Sequence, residues 1–366
     1  MAKLIEITGK ALSGEWGTDD ETGTGIPVLR TTNFTNEGVV DYNDVVTRTI
    51  TKKNLSEKYL RKGDIIIEKS GGSDKQPVGR VIFFEGEDNT YLFNNFTGLL
   101  RVQDQKKWLP KYIFYSLYAN YRRGGTRQFE NKTTGLHNLK TDDFVNRFEI
   151  QEIATDRQEQ ICEQLDRIRG VILLRQQELQ KLDELIKARF VEMFGEPIRN
   201  TQGRPTTELI NVVKMQRGFD LPVQERQQDG DIPVYGSNGA LDYHNVAKIQ
   251  GGGVITGRSG TIGKVFYTEG DYWPLNTSLF SIDTHGNNVI FLAYLLQMFD
   301  LTRFVEGTGV PTLNRNMFHN KQIIAVPKDE QEQFAAFVKQ VDKSKVIENN
   351  AFGCLKYSLM PGLMAA

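Results

Sequence analysis

The chain has 366 residues, 39% of them apolar and 25% charged, with a formal net charge of −1. That length exceeds what one hydrophobic core usually serves, so two or three domains are expected. No low-complexity tract, signal-peptide core or membrane-length apolar run is present, which argues against disordered, fibrous and membrane-spanning classes and predicts a cytoplasmic protein.

The first 152 residues read as one mixed α/β domain. Short β-rich runs, DIIIE from Asp64 and RVIFF from Arg80, are separated by Gly, Asn and Asp turns, and a helical run KYIFYSLYANY follows from Lys111. Residues 153–196 form a different kind of segment. From Ile161 the pattern runs Ile161, Leu165, Ile168, Ile172, Arg175, Leu179, Leu182, Ile186, Arg189, Met193, with spacings alternating four and three. That is a heptad seam, and it predicts a helix of about 58 Å, long enough to need an equally long neighbour. The helix should end at Phe194-Gly195-Glu196-Pro197, where FGEPIRNTQGRPTT reads as a linker.

Residues 197–327 repeat the first domain. The strand-like runs VITG and KVFYT and the helical run VIFLAYLLQMF stand in the same order as before. Residues 328–366 repeat the long helix, with a seam at Phe334, Val338, Val341, Lys345, Glu348, Phe352, Leu355 and Leu359, each 173 residues after its partner. Gly353 and the ending LMPGLMAA make this second copy less regular. Both helices open on D-x-Q-E-Q, at Asp156 and Asp329. The aspartates are expected as N-caps, with Glu159 and Glu332 three residues on completing a capping box. A helix start explains one copy; duplication explains two copies in register. Backward from each helix, TGLHNLKTDDF (Thr134) aligns with TGVPTLNRNMF (Thr308), FNN (Phe93) with LNT (Leu275), GRVIF (Gly79) with GKVFY (Gly263), IIIEKSG (Ile65) with VITGRSG (Val254), and IPVLRTTN (Ile26) with IPVYGSNG (Ile232).

Catalytic signatures are absent. His137, His244, His285 and His319 are scattered without metal-ligand spacing, and no G-x-S-x-G elbow or G-x-G-x-x-G loop occurs. Cys162 and Cys354 fit no metal or redox spacing and read as packed thiols in a reducing compartment. GRSGTIGK at Gly257 lacks the glycine and the Ser/Thr of a phosphate loop and reads as a turn between strands. Basic residues do gather in matching loops. YRRGGTRQFENKTTG carries Arg122, Arg123, Arg127 and Lys132; its counterpart LTRFVEGTGVPTLNR carries Arg303, Asn314 and Arg315. Lys69 and Arg80 flank a turn in the first domain, as Arg258 and Lys264 do in the second. Arg and Lys attract phosphates without regard to sequence, while Asn, Gln and Arg can read base edges. A solvated surface loop is the alternative.

Two divergent halves, each followed by a D-x-Q-E-Q helix with a heptad seam, resemble the specificity subunit of type I restriction–modification systems over essentially the whole chain. The resemblance implies that each half is a target recognition domain reading one part of a split double-stranded DNA sequence. It also implies that the two helices pair antiparallel as a pseudo-twofold spacer and dock two modification subunits. Those partners would bind S-adenosylmethionine and methylate adenine, and motor (restriction) subunits would use ATP and Mg; this chain itself would hold no cofactor and do no chemistry. Arg175 and Glu348, at equivalent seam positions, are expected to meet near the pseudo-twofold axis. A nucleotide-binding enzyme using GRSGTIGK and a protein-only coiled-coil scaffold are the rival readings.

Overall fold

The structure, a computed structural model, describes residues 1–133, 136–227, 229–307 and 311–363, with side chains described for these except 132–133 and 346–363. Its contacts divide the chain into two compact units, Met1–Leu173 with Phe352–Ala366, and Leu174–Ala351.

In the first unit, a short helix α1 (Leu4–Thr8) precedes an antiparallel four-stranded sheet ordered Leu12–Ser13, Thr97–Leu100, Ile65–Glu68, Val81–Phe83. The DIIIE run is its inner strand, and it is apolar on both faces for a reason: Ile65 and Ile67 enter one core while Ile66 enters another, all fully buried. A second sheet, Thr18–Asp19, Val46–Thr49, Ile26–Leu29, Leu92–Phe93, ends in a parallel pair that places Val28 beside Leu92. Helix α2 (Pro110–Arg122) starts on a proline, whose fixed φ and missing N–H suit a first turn, and buries Tyr112–Leu117. A hairpin, Glu130–Thr133 with Leu136–Leu139, then helix α3 (Thr141–Arg147), lead to the long helix α4 (Thr155–Phe194).

The second unit repeats this plan. Its four-stranded sheet runs Lys214–Arg217, Ser278–Asp283, Gly253–Gly257, Val265–Thr268, and its second sheet again ends in a parallel pair, here Val234 beside Trp273. Helix α5 (Val289–Phe299) takes the place of α2, and α6 (Lys328–Leu363) the place of α4. GRSGTIGK connects the antiparallel neighbours Gly253–Gly257 and Val265–Thr268, so it is a strand-to-strand turn and opens no helix.

Burial along α4 follows the expected seam and then leaves it. Ile161 and Leu165 are buried in the first unit's core, Ile168, Ile172, Arg175, Leu179 and Leu182 are half-buried, and Ile186 is fully buried. At the C-terminal end the deepest positions become Phe190 and Phe194, off the heptad, with Arg189 and Met193 only half-buried. The cause is a change of partner: this end packs into the second domain's core, where a plain 3.6-residue stripe serves better than a 3.5-residue seam. Phe334, Val338 and Val341 of α6 lie in that same core. The ring of Phe334 sits 5.4 Å from Phe190 and 5.6 Å from Phe194, whereas Lys345 reaches Asp183 at 2.7 Å, so the two helices run antiparallel there. The compact units therefore cut through both long helices, whereas a boundary at residues 152–153 or 327–328 would set the helices apart from the domains. Gly195 closes α4 at φ +75, as the F-G-E-P signal requires.

Two expectations at the helix ends need correction. The helices begin one residue earlier than the aspartates suggest, so Asp156 and Asp329 are second residues, and the first helical bonds run to the carbonyls of Ala154 and Pro327. No capping box forms, because Glu159 and Glu332 then stand beyond the third position; the carboxylates favour the positive end of the helix dipole, and Glu332 Oε2 also accepts from Asn288 Nδ2 at 3.1 Å. The side chains of Glu348, Phe352, Leu355 and Leu359 lie outside the described residues, and Arg175 pairs with Glu178 of its own helix at 2.6 Å. Cys162 is buried and free, and burial pushes its thiol up to about 12; the side chain of Cys354 lies outside the described residues.

Candidate DNA-binding surface

In the first domain the basic loop is held by three inward anchors. Tyr121, Thr126 and Phe129 are buried, which leaves Arg122, Arg123 and Arg127 exposed between them. Thr126 is fixed by a close approach: its Cγ2 lies 2.8 Å from where a Cβ would stand on Gly79, itself at φ +100. Only glycine tolerates both conditions. Arg127 rests Nη2 on the Asp74 carbonyl at 3.2 Å. Behind the loop, Nδ1 of buried His137 faces Glu130 Oε2 at 2.8 Å, and the other Glu130 oxygen accepts the Val78 amide at 3.0 Å, bracing the hairpin against the 73–78 loop. The Lys132 side chain and the Thr134-Gly135 tip lie outside the described residues.

The second domain builds the same device from different residues. Thr302 Cγ2 lies 2.5 Å from the Cβ position of Gly263, at φ +91, and the exposed Arg303 follows it as Arg127 follows Thr126. The Arg303 guanidinium stacks 5.5 Å from the Phe304 ring. Asn314 accepts the Asn316 amide at 3.1 Å to start the turn bearing Arg315, which is half-buried. Positions 308–310 lie outside the described residues.

Lys69 and Arg258 also occupy one place. Lys69 donates its amide to the Phe96 carbonyl and accepts from Leu139; Arg258 donates to Thr277 and accepts from Leu313, all at 2.8–2.9 Å. Each cation therefore sits where the central sheet meets the second hairpin strand. Burial, then Lys58 nearby, pulls the Lys69 ammonium below its usual value, and it donates to Ser13 Oγ at 2.7 Å. The Arg258 guanidinium reaches the Asn276 carbonyl at 3.3 Å. Lys264 is exposed and donates to Asn238 Oδ1 at 2.9 Å, on the turn after the IPV strand.

Arg80 must be removed from the set. Its guanidinium turns inward, donating to Phe34 O at 2.7 Å and Thr31 O at 2.8 Å and pairing with buried Glu68. An arginine whose donors already hold two backbone carbonyls and a carboxylate serves the fold, not an external phosphate. Sequence reasoning also missed Phe96, an aromatic 53% exposed in the loop that contacts Lys69. Its signal was an apolar residue inside an otherwise polar turn, NNFTG.

Two copies of one domain, each presenting arginines at the same edge, are thus established. The chain matches the family model described as type I restriction modification DNA specificity domain over residues 2–184 and again over 205–351. The chain belongs to this family. It accordingly carries two DNA specificity domains, and each match takes in a globular half together with part of its long helix. No curated protein matches the chain. Among solved structures it is similar to the S subunit of a type I restriction–modification system from M. genitalium, at 16% identity and a TM-score of 0.54, over 99% of this chain and 94% of that one. A second similar chain comes from work on complex assembly and conformational transition of the type I R-M system, at 14% identity and a TM-score of 0.53, over 100% of this chain and 96% of that one. At such identities the likeness is one of fold. Among the described residues no helix is long and apolar enough to cross a membrane, and no cluster of three His, Cys, Asp or Glu could hold a metal ion.

Proposed function

We propose that the chain reads a bipartite double-stranded DNA target, one half-sequence per domain, and docks two modification subunits that methylate adenine. S-adenosylmethionine, and the ATP and Mg of any motor subunits, belong to those partners. The observation that carries the reading is the repeated edge: Gly79–Thr126–Arg127 and Gly263–Thr302–Arg303 are one construction made twice, each in a DNA specificity domain that continues into a long helix. Arg122, Arg123, Arg127, Lys132, Arg303 and Arg315, with Lys69, Arg258 and Lys264, supply the phosphate attraction; Asn314 and exposed Asn238 supply amides suited to base edges. Paired helices act as the spacer, since a stiff element of fixed length turns a protein distance into a base-pair count.

The test is duplex binding by the chain with its modification partner across a salt series. A steep linear fall of log affinity with log salt, shared by no protein-only scaffold, is expected. Salt-independent binding, or ATP affinity in the isolated chain, would contradict it.

A further inference from the structure

One polar side chain is fully buried at the start of each long helix, Gln158 in α4 and Gln331 in α6. Both amides are completely used, and in the same way. Gln158 accepts the Leu109 amide at 2.9 Å and donates to the carbonyls of Lys107 at 2.9 Å and Ile153 at 3.0 Å. Gln331 accepts the Asn288 amide at 2.9 Å and donates to Asn287 Oδ1 and the Val326 carbonyl, each at 2.8 Å. Leu109 and Asn288 are the N-cap residues of α2 and α5. Each glutamine therefore ties three things together: the first turn of the long helix, the connecting segment that feeds it, and the first turn of the domain's own helix.

Apolar packing alone holds two helices together without fixing their phase, because it is non-directional. Three hydrogen bonds from one planar amide do fix it, since each weakens steeply when misaligned. We infer that Gln158 and Gln331 are positioning residues that lock the angle between each DNA specificity domain and its long helix, and thereby keep the gap between the two half-sequences constant. The inference rests on the bipartite reading above. The tolerance is small. A helix of 40 residues is about 60 Å long, so a tilt of about 3° at one end moves the other by one base-pair rise, about 3.4 Å.

The experiment uses the full chain with its modification partner and a randomised duplex library. Selection with the wild type defines the half-sequences and the gap. Gln158→Met and Gln331→Met, near-isosteric and apolar, are then compared by the affinity ratio between the native gap and gaps one base pair longer or shorter. A fall in that ratio of about tenfold or more, with both half-sequence preferences unchanged, is expected. Variants that fold and keep the wild-type ratio would overturn the inference. Should one methionine variant fail to fold, the other carries the test; should both fail, Asn287→Ala, which removes one acceptor from Gln331, carries it with the same two outcomes. A wild-type selection that returns one unbroken sequence would instead overturn the bipartite reading.

Discussion

Lys345 on α6 holds its ammonium between two carboxylates, 2.7 Å from Asp183 on α4 and 3.0 Å from Asp342 on its own helix. Burial pulls the lysine down, but the hydrogen bonds its ammonium donates to both aspartates outweigh that and leave the group above its ordinary value. A raised lysine contributes stability that is fully present below its unfolded value, about 10.4, and is lost as pH rises through the folded one. Lys345→Met should therefore lower the thermal midpoint at pH 8, and that difference should shrink above about pH 10. A difference independent of pH would show that the pair does not titrate as described.

Phe334 is the second device joining α6 to the second domain. It is fully buried, with the rings of Phe190, Phe194 and Tyr294 within 5.4–5.6 Å. Phe334→Ala should cost about 3–5 kcal/mol in denaturant unfolding, through lost burial and the cavity left behind. A cost below about 1 kcal/mol, the size of a surface change, would mean that α6 is not anchored there.

Gly263 combines φ +91 with a Thr302 methyl 2.5 Å from its Cβ position. Gly263→Ala should destabilise by about 1–3 kcal/mol and weaken DNA binding by displacing Arg303. Adding Thr302→Ser, which removes the methyl but not the backbone strain, should restore part of the loss. Strict additivity in that double-mutant cycle would count against the contact.

Arg80 and Arg127 lie in neighbouring parts of the first domain, yet opposite outcomes are expected. Arg127→Ala should leave the thermal midpoint nearly unchanged and reduce the log–log salt slope by about 0.9, the value of one phosphate contact. Arg80→Ala should lower the midpoint and leave the slope alone, because its donors bind Thr31, Phe34 and Glu68.

The repeat was legible because apolar seams and turn glycines leave a periodic trace at a fixed offset, as Ile161 and Phe334 do. The strand at Ile65–Ile67 was legible because a strand buried on both faces is apolar throughout. Side-chain direction in loops leaves no such trace. Arg80 and Arg127 look alike in sequence, and only the fold turns one inward. The helix end at Phe190 and Phe194 was misread because its partner changes from a helix seam to a domain core, and a heptad rule assumes one kind of partner. The middle glutamine of D-x-Q-E-Q left no trace of its own: Asp156, Glu159 and Gln160 recur in the second copy as faithfully as Gln158 does, yet they are exposed and Gln158 is buried.

The most direct measurement is a base-resolution map of methylated adenines in DNA modified by this chain with its partner subunits. The account predicts one split motif: two short specified half-sequences, a single constant number of unspecified base pairs between them, and a methylated adenine in each half. A continuous motif, or two halves recovered at variable separation, would contradict it.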